Sequence, residues 1–350
     1  MTAPAARRAA RNGDSPLLRI EDLCIDFRTS DGWVRVVDDL TLEVRRGETL
    51  GLVGESGSGK TVTVQSVLGL LSMRGGRIAG GHVWFGDRDL VRLREQDLRD
   101  VRGNEIAMIF QEPMTSLNPA FKIGSQIAET VMRHRGATRR AAWNRAVEVL
   151  DIVGIPDPAR RVHDYPHMFS GGMRQRAMIA MALACEPKLL LADEPTTALD
   201  VTVQARIMEL LRTLQAQFGM AIVLVTHDLL LAAENCGRVV VMYAGQAVEQ
   251  SPSEDIFDRP LHPYAEGLLR SMPQAADSEG WLRPIKGNVP SPWDKPTGCR
   301  FHTRCDYVDP LRCTTDPILL TSHPGNRDVR CVRATELHLR SPQHIETGSD

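Results

Sequence analysis

Gly54-Glu55-Ser56-Gly57-Ser58-Gly59-Lys60-Thr61 stands between the apolar run Thr49-Leu50-Gly51-Leu52-Val53 and the segment 62–68. Strand, glycine loop and helix in that order make a phosphate-binding loop. Glycines let successive backbone N–H groups turn inward around a phosphate, so Gly54, Ser56, Gly57, Ser58 and Gly59 are expected to form the cradle. Lys60 adds a charge for the outer phosphates, and Thr61 a hydroxyl for Mg²⁺. A helix starting there contributes the positive end of its dipole. The plainer alternative is a Gly/Ser turn from strand to helix, and the strand, loop and helix order that the motif requires weighs against it.

The 350 residues are 42% hydrophobic and 25% charged, enough for one large or two moderate domains with real cores. A formal charge of -2 gives no global attraction to nucleic acid, and no nucleic-acid partner is expected. The longest uncharged apolar stretches, 177–185 and 218–226, fall short of the roughly 20 residues a membrane-spanning helix needs. Residues 1–16 are rich in Ala and Arg but lack the apolar centre of a secretion signal. They read as a disordered tail on a cytosolic chain.

Residues 17–48 alternate apolar and polar positions around turn signals, as antiparallel strands do. The runs Leu189–Ala192 and Ala221–Thr226 are continuously apolar and fit parallel strands buried on both faces. Helical spacing between them (Val203, Ile207, Leu210, Leu211, Leu214) predicts a crossover helix over 201–218. A helical stretch covers 123–184. Beyond residue 255, frequent prolines break the chain into short elements, and a boundary is expected there.

Hydrolysis of a nucleoside triphosphate needs a held metal and a positioned water besides the phosphate cradle. Asp193 closes an apolar strand and can hold Mg²⁺, while Glu194 beside it can polarise the water. Gln111 offers a neutral contact to metal or water, and His227, at the end of another strand, a contact to the γ-phosphate. Ser170-Gly171-Gly172 opens the helical segment 174–183, with Ser170 as N-cap, and a bare helix N-terminus is a second anion site. Read singly, each has a plainer role: a helix cap, an exposed glutamine, a structural histidine.

Taken together, these motifs resemble the ATP-binding cassette (ABC) ATPases over residues 17–335. The resemblance implies an α/β fold, an ABC ATPase nucleotide-binding domain over 17–255 with a RecA-like core, antiparallel β and helical subdomains (the latter about 115–184). A small Pro/Cys-rich C-terminal domain follows over 256–350. It further implies a Q-loop at Gln111, a signature at Ser170, Gly171 and Gly172, Asp200 facing the nucleotide, and Phe27 stacking on adenine. The stretch 111–119, Met173 in place of the commoner signature glutamine, and His262-Pro263-Tyr264 are similar to the ATP-binding subunits of dipeptide and oligopeptide importers.

Such a subunit works with a second, paralogous ATPase subunit, two transmembrane permease subunits and an extracytoplasmic peptide-binding protein, at the cytoplasmic face of the inner membrane. Nickel or glutathione import, or a soluble ABC ATPase outside transport, are the competing readings. Seven cysteines divide unevenly: Cys24, Cys185 and Cys236 read as ordinary buried thiols, whereas Cys299, Cys305, Cys313 and Cys331 crowd the end of the chain. Disulfides do not suit the cytosol, and the spacing lacks the paired C-x2-C of most zinc sites. The resemblance implies a [4Fe–4S] cluster on these four, with Zn²⁺ or free thiols as alternatives.

Overall fold

The computed structural model describes residues 15–112, 116–197, 200–272, 275 and 283–339. Most of the expected N-terminal tail, Pro113–Thr115 after the glutamine loop, Ala198 and Leu199 before Asp200, and the last residues lie outside that range.

Two sheets stack. One is antiparallel, in the order β2 (Gly32–Val44), β1 (Leu18–Thr29), β4 (Gly76–Phe85), β5 (Arg88–Asp89). The other has eight strands, in the order β11 (Thr321–His323), β12 (Arg327–Val329), β10 (Gln246–Pro252), β9 (Arg238–Tyr243), β3 (Thr49–Val53), β8 (Ala221–Thr226), β7 (Leu189–Asp193), β6 (Ile106–Ile109). From β9 to β6 the pairing is parallel. Every residue of β7 and β8 is buried, as their unbroken apolar sequences require. Leu189 and Leu191 face the core shared with the antiparallel sheet, whereas Leu190 and Ala192 face the core shared with the helices. Period-two alternation thus lets one buried strand join two cores.

The helical region contains Ile123–Arg135, Arg139–Ile152, Pro158–Arg161 and Gly171–Leu183. The helix Val201–Phe218 crosses from β7 to β8, capped at its start by Asp200, whose Oδ1 accepts from Val203 N–H at 2.9 Å, and ended by left-handed Gly219.

The C-terminal strands extend the main sheet: β12 pairs with β10, and β11 with β12. The long edge strand β2 is closed by side chains rather than by another strand. Lys295 donates to the carbonyl of Arg35 (2.5 Å), Gln250 to that of Thr41 (2.7 Å) and Arg330 to that of Asp39 (3.3 Å). Cys185 and Cys236 are buried as expected; Cys24 is only half-buried.

A buried charge pair ties β12 down. Glu249 is wholly buried and accepts from Leu261 N–H and His262 N–H, while Arg327 Nη2 stands 2.8 Å from its Oε1. Removing one partner of such a pair leaves an uncompensated charge in the interior. Arg327→Met is therefore expected to cost about 3–5 kcal/mol by denaturant titration; stability equal to the parent would mean that the two backbone N–H groups satisfy the carboxylate alone.

Candidate functional site: a phosphate loop and its acidic strand ends

β3 lies between β8 and β9, so its C-terminal end opens into the middle of the main sheet. There the chain turns through the loop 54–59 into the helix Lys60–Val67. Gly54 and Gly59 are required by contact as well as by dihedral angle. A Cβ on Gly54 would lie 2.2 Å from the Met242 carbonyl oxygen at the end of β9, and Gly59, the N-cap, has φ +103°. Gly57 also has positive φ. Ser58 Oγ is buried with no hydrogen-bond partner.

Lys60 is buried beneath the loop, its Nζ donating to the carbonyls of Gly54 (2.7 Å) and Glu55 (3.1 Å). Burial depresses its pKa, and the charges of Glu194, Asp193 and Glu55 oppose that shift. Thr61 Oγ1 donates to Asp193 Oδ1 at 2.9 Å across 132 residues of sequence. Burial pushes Asp193 up to about 6, against the Thr61 hydroxyl bond that favours the anion.

Glu194 follows Asp193 with φ +45°, an uncommon angle for a residue with a side chain. Its backbone N–H donates to Val225 O on β8. The carboxylate accepts from Gln111 Nε2 (3.0 Å) and Thr197 Oγ1 (2.9 Å), and His227 Nδ1 lies 3.4 Å away. Three of the residues singled out in the sequence, Gln111, Glu194 and His227, thus converge from three strand ends. Thr61, Gln111 and Asp193 also line one cavity of about 430 Å³, together with Gln65, Arg74 and Phe110, which sequence reading did not single out.

Two expected groups stand apart from this centre. Ser170 is exposed at the start of its helix, accepting from Met173 N–H at 3.3 Å, and Gly171 is exposed beside it. Phe27 lies on β1 opposite Val34 and Gly76, its ring 2.9 Å from where a Cβ on Gly76 would stand.

The four late cysteines wall a single small cavity with His262, Phe301 and His302. Burial raises Cys299 to about 12 and Cys305 to about 11 and also raises Cys331, while the N–H groups of Phe301, Tyr307 and Arg333, each two residues on, oppose the rise. Convergence is as expected. Among the described residues no group of three or more His, Cys, Asp or Glu is placed to hold a metal ion, which supports neither the expected [4Fe–4S] cluster nor its zinc alternative. Sequence spacing brings thiols to one place but does not set the distances between them.

A phosphate loop bonded to a buried strand-end aspartate, with a glutamate following it on a parallel sheet, is the arrangement of a phosphate-loop nucleoside triphosphatase. The ABC transporter family matches residues 37–197, and the oligopeptide/dipeptide transporter C-terminal region matches 248–313. A putative peptide import ATP-binding protein of Brucella abortus is 51% identical over 91% of this chain and 95% of its own length. The dipeptide transport ATP-binding protein DppD of Haemophilus influenzae is 48% identical (90% and 94%), and that of Escherichia coli 46% (90% and 96%). Among solved structures, the ATP-binding cassette MJ0796 in a dimeric post-hydrolysis state with ADP and Pi aligns at TM-score 0.60 and 26% identity, over 67% of this chain and 98% of that one. The chain belongs to the ABC transporter ATP-binding proteins and is an ATPase of that family.

An aspartate holds Mg²⁺ only when ionised, so Asp193 would have to be the anion to serve as a ligand. With its carboxyl at about 6, the anion is complete well above that pH and is lost as pH falls through it. The gain in ATP affinity on adding Mg²⁺ is expected to fade between about pH 7 and 5, and to be flat in Asp193→Asn. Fluorescence titration with and without Mg²⁺ across that range reads both; an equal pH step in the two proteins would assign it elsewhere.

Proposed function

We propose that this chain is the ATP-hydrolysing subunit that energises an importer of dipeptides or oligopeptides. The observation that carries the reading is the union in one chain of a complete phosphate-loop site with a C-terminal region that packs directly on that loop, Tyr264 Oη accepting from Glu55 N–H at 2.8 Å.

In this reading the loop amides and Lys60 hold the phosphates, with Phe27 against the adenine. Thr61, Gln111 and Asp193 would hold Mg²⁺, which when bound would supply positive charge to offset that of the phosphates. Glu194 accepts the proton of the attacking water, and His227 contacts the γ-phosphate. Gln111 bonds directly to Glu194, so a shift of that loop alters the carboxylate's direction.

Ser170, Gly171, Gly172 and Asp200 serve the nucleotide of a second, paralogous ATPase subunit. Exposure of Ser170 and Gly171 at a helix N-terminus supports this, because those N–H groups are free to meet an anion on another molecule. Two permease subunits and an extracytoplasmic peptide-binding protein complete the assembly at the cytoplasmic face of the membrane. Among the described residues no helix is long and apolar enough to cross a membrane; in this reading those subunits hold the chain at the membrane.

The four cysteines are read as ligands of a [4Fe–4S] cluster. Four thiols on one cavity, three of them faced by backbone N–H groups that favour the thiolate, suit a cluster with several irons better than a single ion. Anaerobically purified protein is expected to hold about four irons per chain, lost when Cys313 is replaced by serine. Iron-free protein would leave four thiols and no cluster.

Glu194→Gln is expected to bind ATP normally but to hydrolyse it at least about a hundredfold more slowly, roughly 3 kcal/mol of transition-state stabilisation. Single-turnover hydrolysis at the parental rate would remove Glu194 from the proton transfer.

A further inference from the structure

Each of the four cysteines has an arginine as chain neighbour: Arg300, Arg304, Arg312 and Arg330. Three of these reach away from the thiols toward the nucleotide-binding part. Arg300 pairs with Asp38 and donates to the Ala244 carbonyl, and Arg330 pairs with Asp39 at 3.1 Å. Arg304 reaches the phosphate loop itself. Its Nη1 and Nη2 lie 2.7 and 3.0 Å from the two carboxylate oxygens of Glu55, a two-pronged contact across 249 residues of sequence.

Arg304 has little freedom. Its side chain is 4% exposed, Nε donates to the Lys286 carbonyl (2.8 Å), Nη2 to that of Gly287 (3.3 Å) and Nη1 to the Tyr243 hydroxyl (3.3 Å). The residue belongs to a 3₁₀ turn closed by His302 N–H on Cys299 O and by Cys305 N–H on His302 O. Cys299 and Cys305 therefore bracket the turn that aims the guanidinium.

Glu55 is an awkward residue for its place. It puts a carboxylate on the loop that receives a triphosphate, within electrostatic reach of Lys60. Left unpaired, that charge repels the phosphates and competes for the lysine.

We propose that Arg304 is a positioning residue of the nucleotide site, neutralising Glu55 and fixing the phosphate loop, and that the Cys299–Cys305 turn sets its place, so that the four-thiol site governs nucleotide affinity. The inference rests on the ATP-binding reading above. A disturbance of the thiol site loosens the turn and returns an uncompensated negative charge to the loop.

The test is affinity for a fluorescent ATP analogue with Mg²⁺, on the full chain, with metal content and melting temperature measured for each variant. Arg304→Gln and Cys305→Ser are each expected to bind about tenfold more weakly, the scale of one lost charge-assisted contact. Adding Glu55→Gln to either is expected to recover most of the loss, because the repelling carboxylate is gone. Parental affinity in Arg304→Gln, or no recovery in its double variant, overturns the neutralising role. Parental affinity in Cys305→Ser severs the thiol site from the loop. That second arm leaves Arg304 untouched, so it decides the coupling even if Arg304→Gln fails to fold. A parent that binds no nucleotide would instead overturn the ATP-binding reading.

Discussion

The phosphate loop is pressed against the end of β9, where the Met242 carbonyl occupies the space a Cβ on Gly54 would need. That close approach fixes where the loop leaves β3 and so where the amides, Lys60 and Thr61 point. The rest of the centre is arranged around it. β8 and β7 lie on one side of β3 in register, Val53 opposite Thr226 and Asp193 opposite Val225, which brings the acidic strand end and His227 to the same rim. Sheet pairing thereby converts residues more than a hundred positions apart into neighbours at hydrogen-bond distance.

Much of this was legible because its causes are local. The loop glycines, the fully apolar β7 and β8, and the crossover helix each carry their own signal in a short window, whereas Asp200, expected only to face the nucleotide, turns out also to cap that helix. Their assembly follows from the rule that ligands gather at the carboxyl ends of parallel strands. The C-terminal strands were not legible. β11 and β12 are three residues each, Thr-Ser-His and Arg-Asp-Val, with no apolar alternation to read. They exist because β10 offers a partner edge and because Arg327 finds Glu249.

The same holds for the centre's supporting contacts. Nothing near Glu55 in sequence announces Arg304 or Tyr264, since ion pairing at long range leaves no periodic trace. Thr197 is within three residues of Glu194, yet its bond depends on the left-handed backbone at Glu194, which sequence alone does not disclose. For the cysteines, spacing foretold a gathering and the structure shows one, but the ligand distances belong to the packing of Phe301, His262 and their neighbours.

The side chains that close β2 have a consequence for how copies of the chain meet. A thirteen-residue edge strand with free carbonyls is a template on which another polypeptide can add a strand. Here Lys295, Gln250 and Arg330 occupy those carbonyls, and the main sheet ends at β11 and β6, which are three and four residues long. Little continuous edge is thus left open on β2, and β5, β6 and β11 at the other sheet ends are two to four residues long, so each offers an incoming strand only a short run of backbone groups.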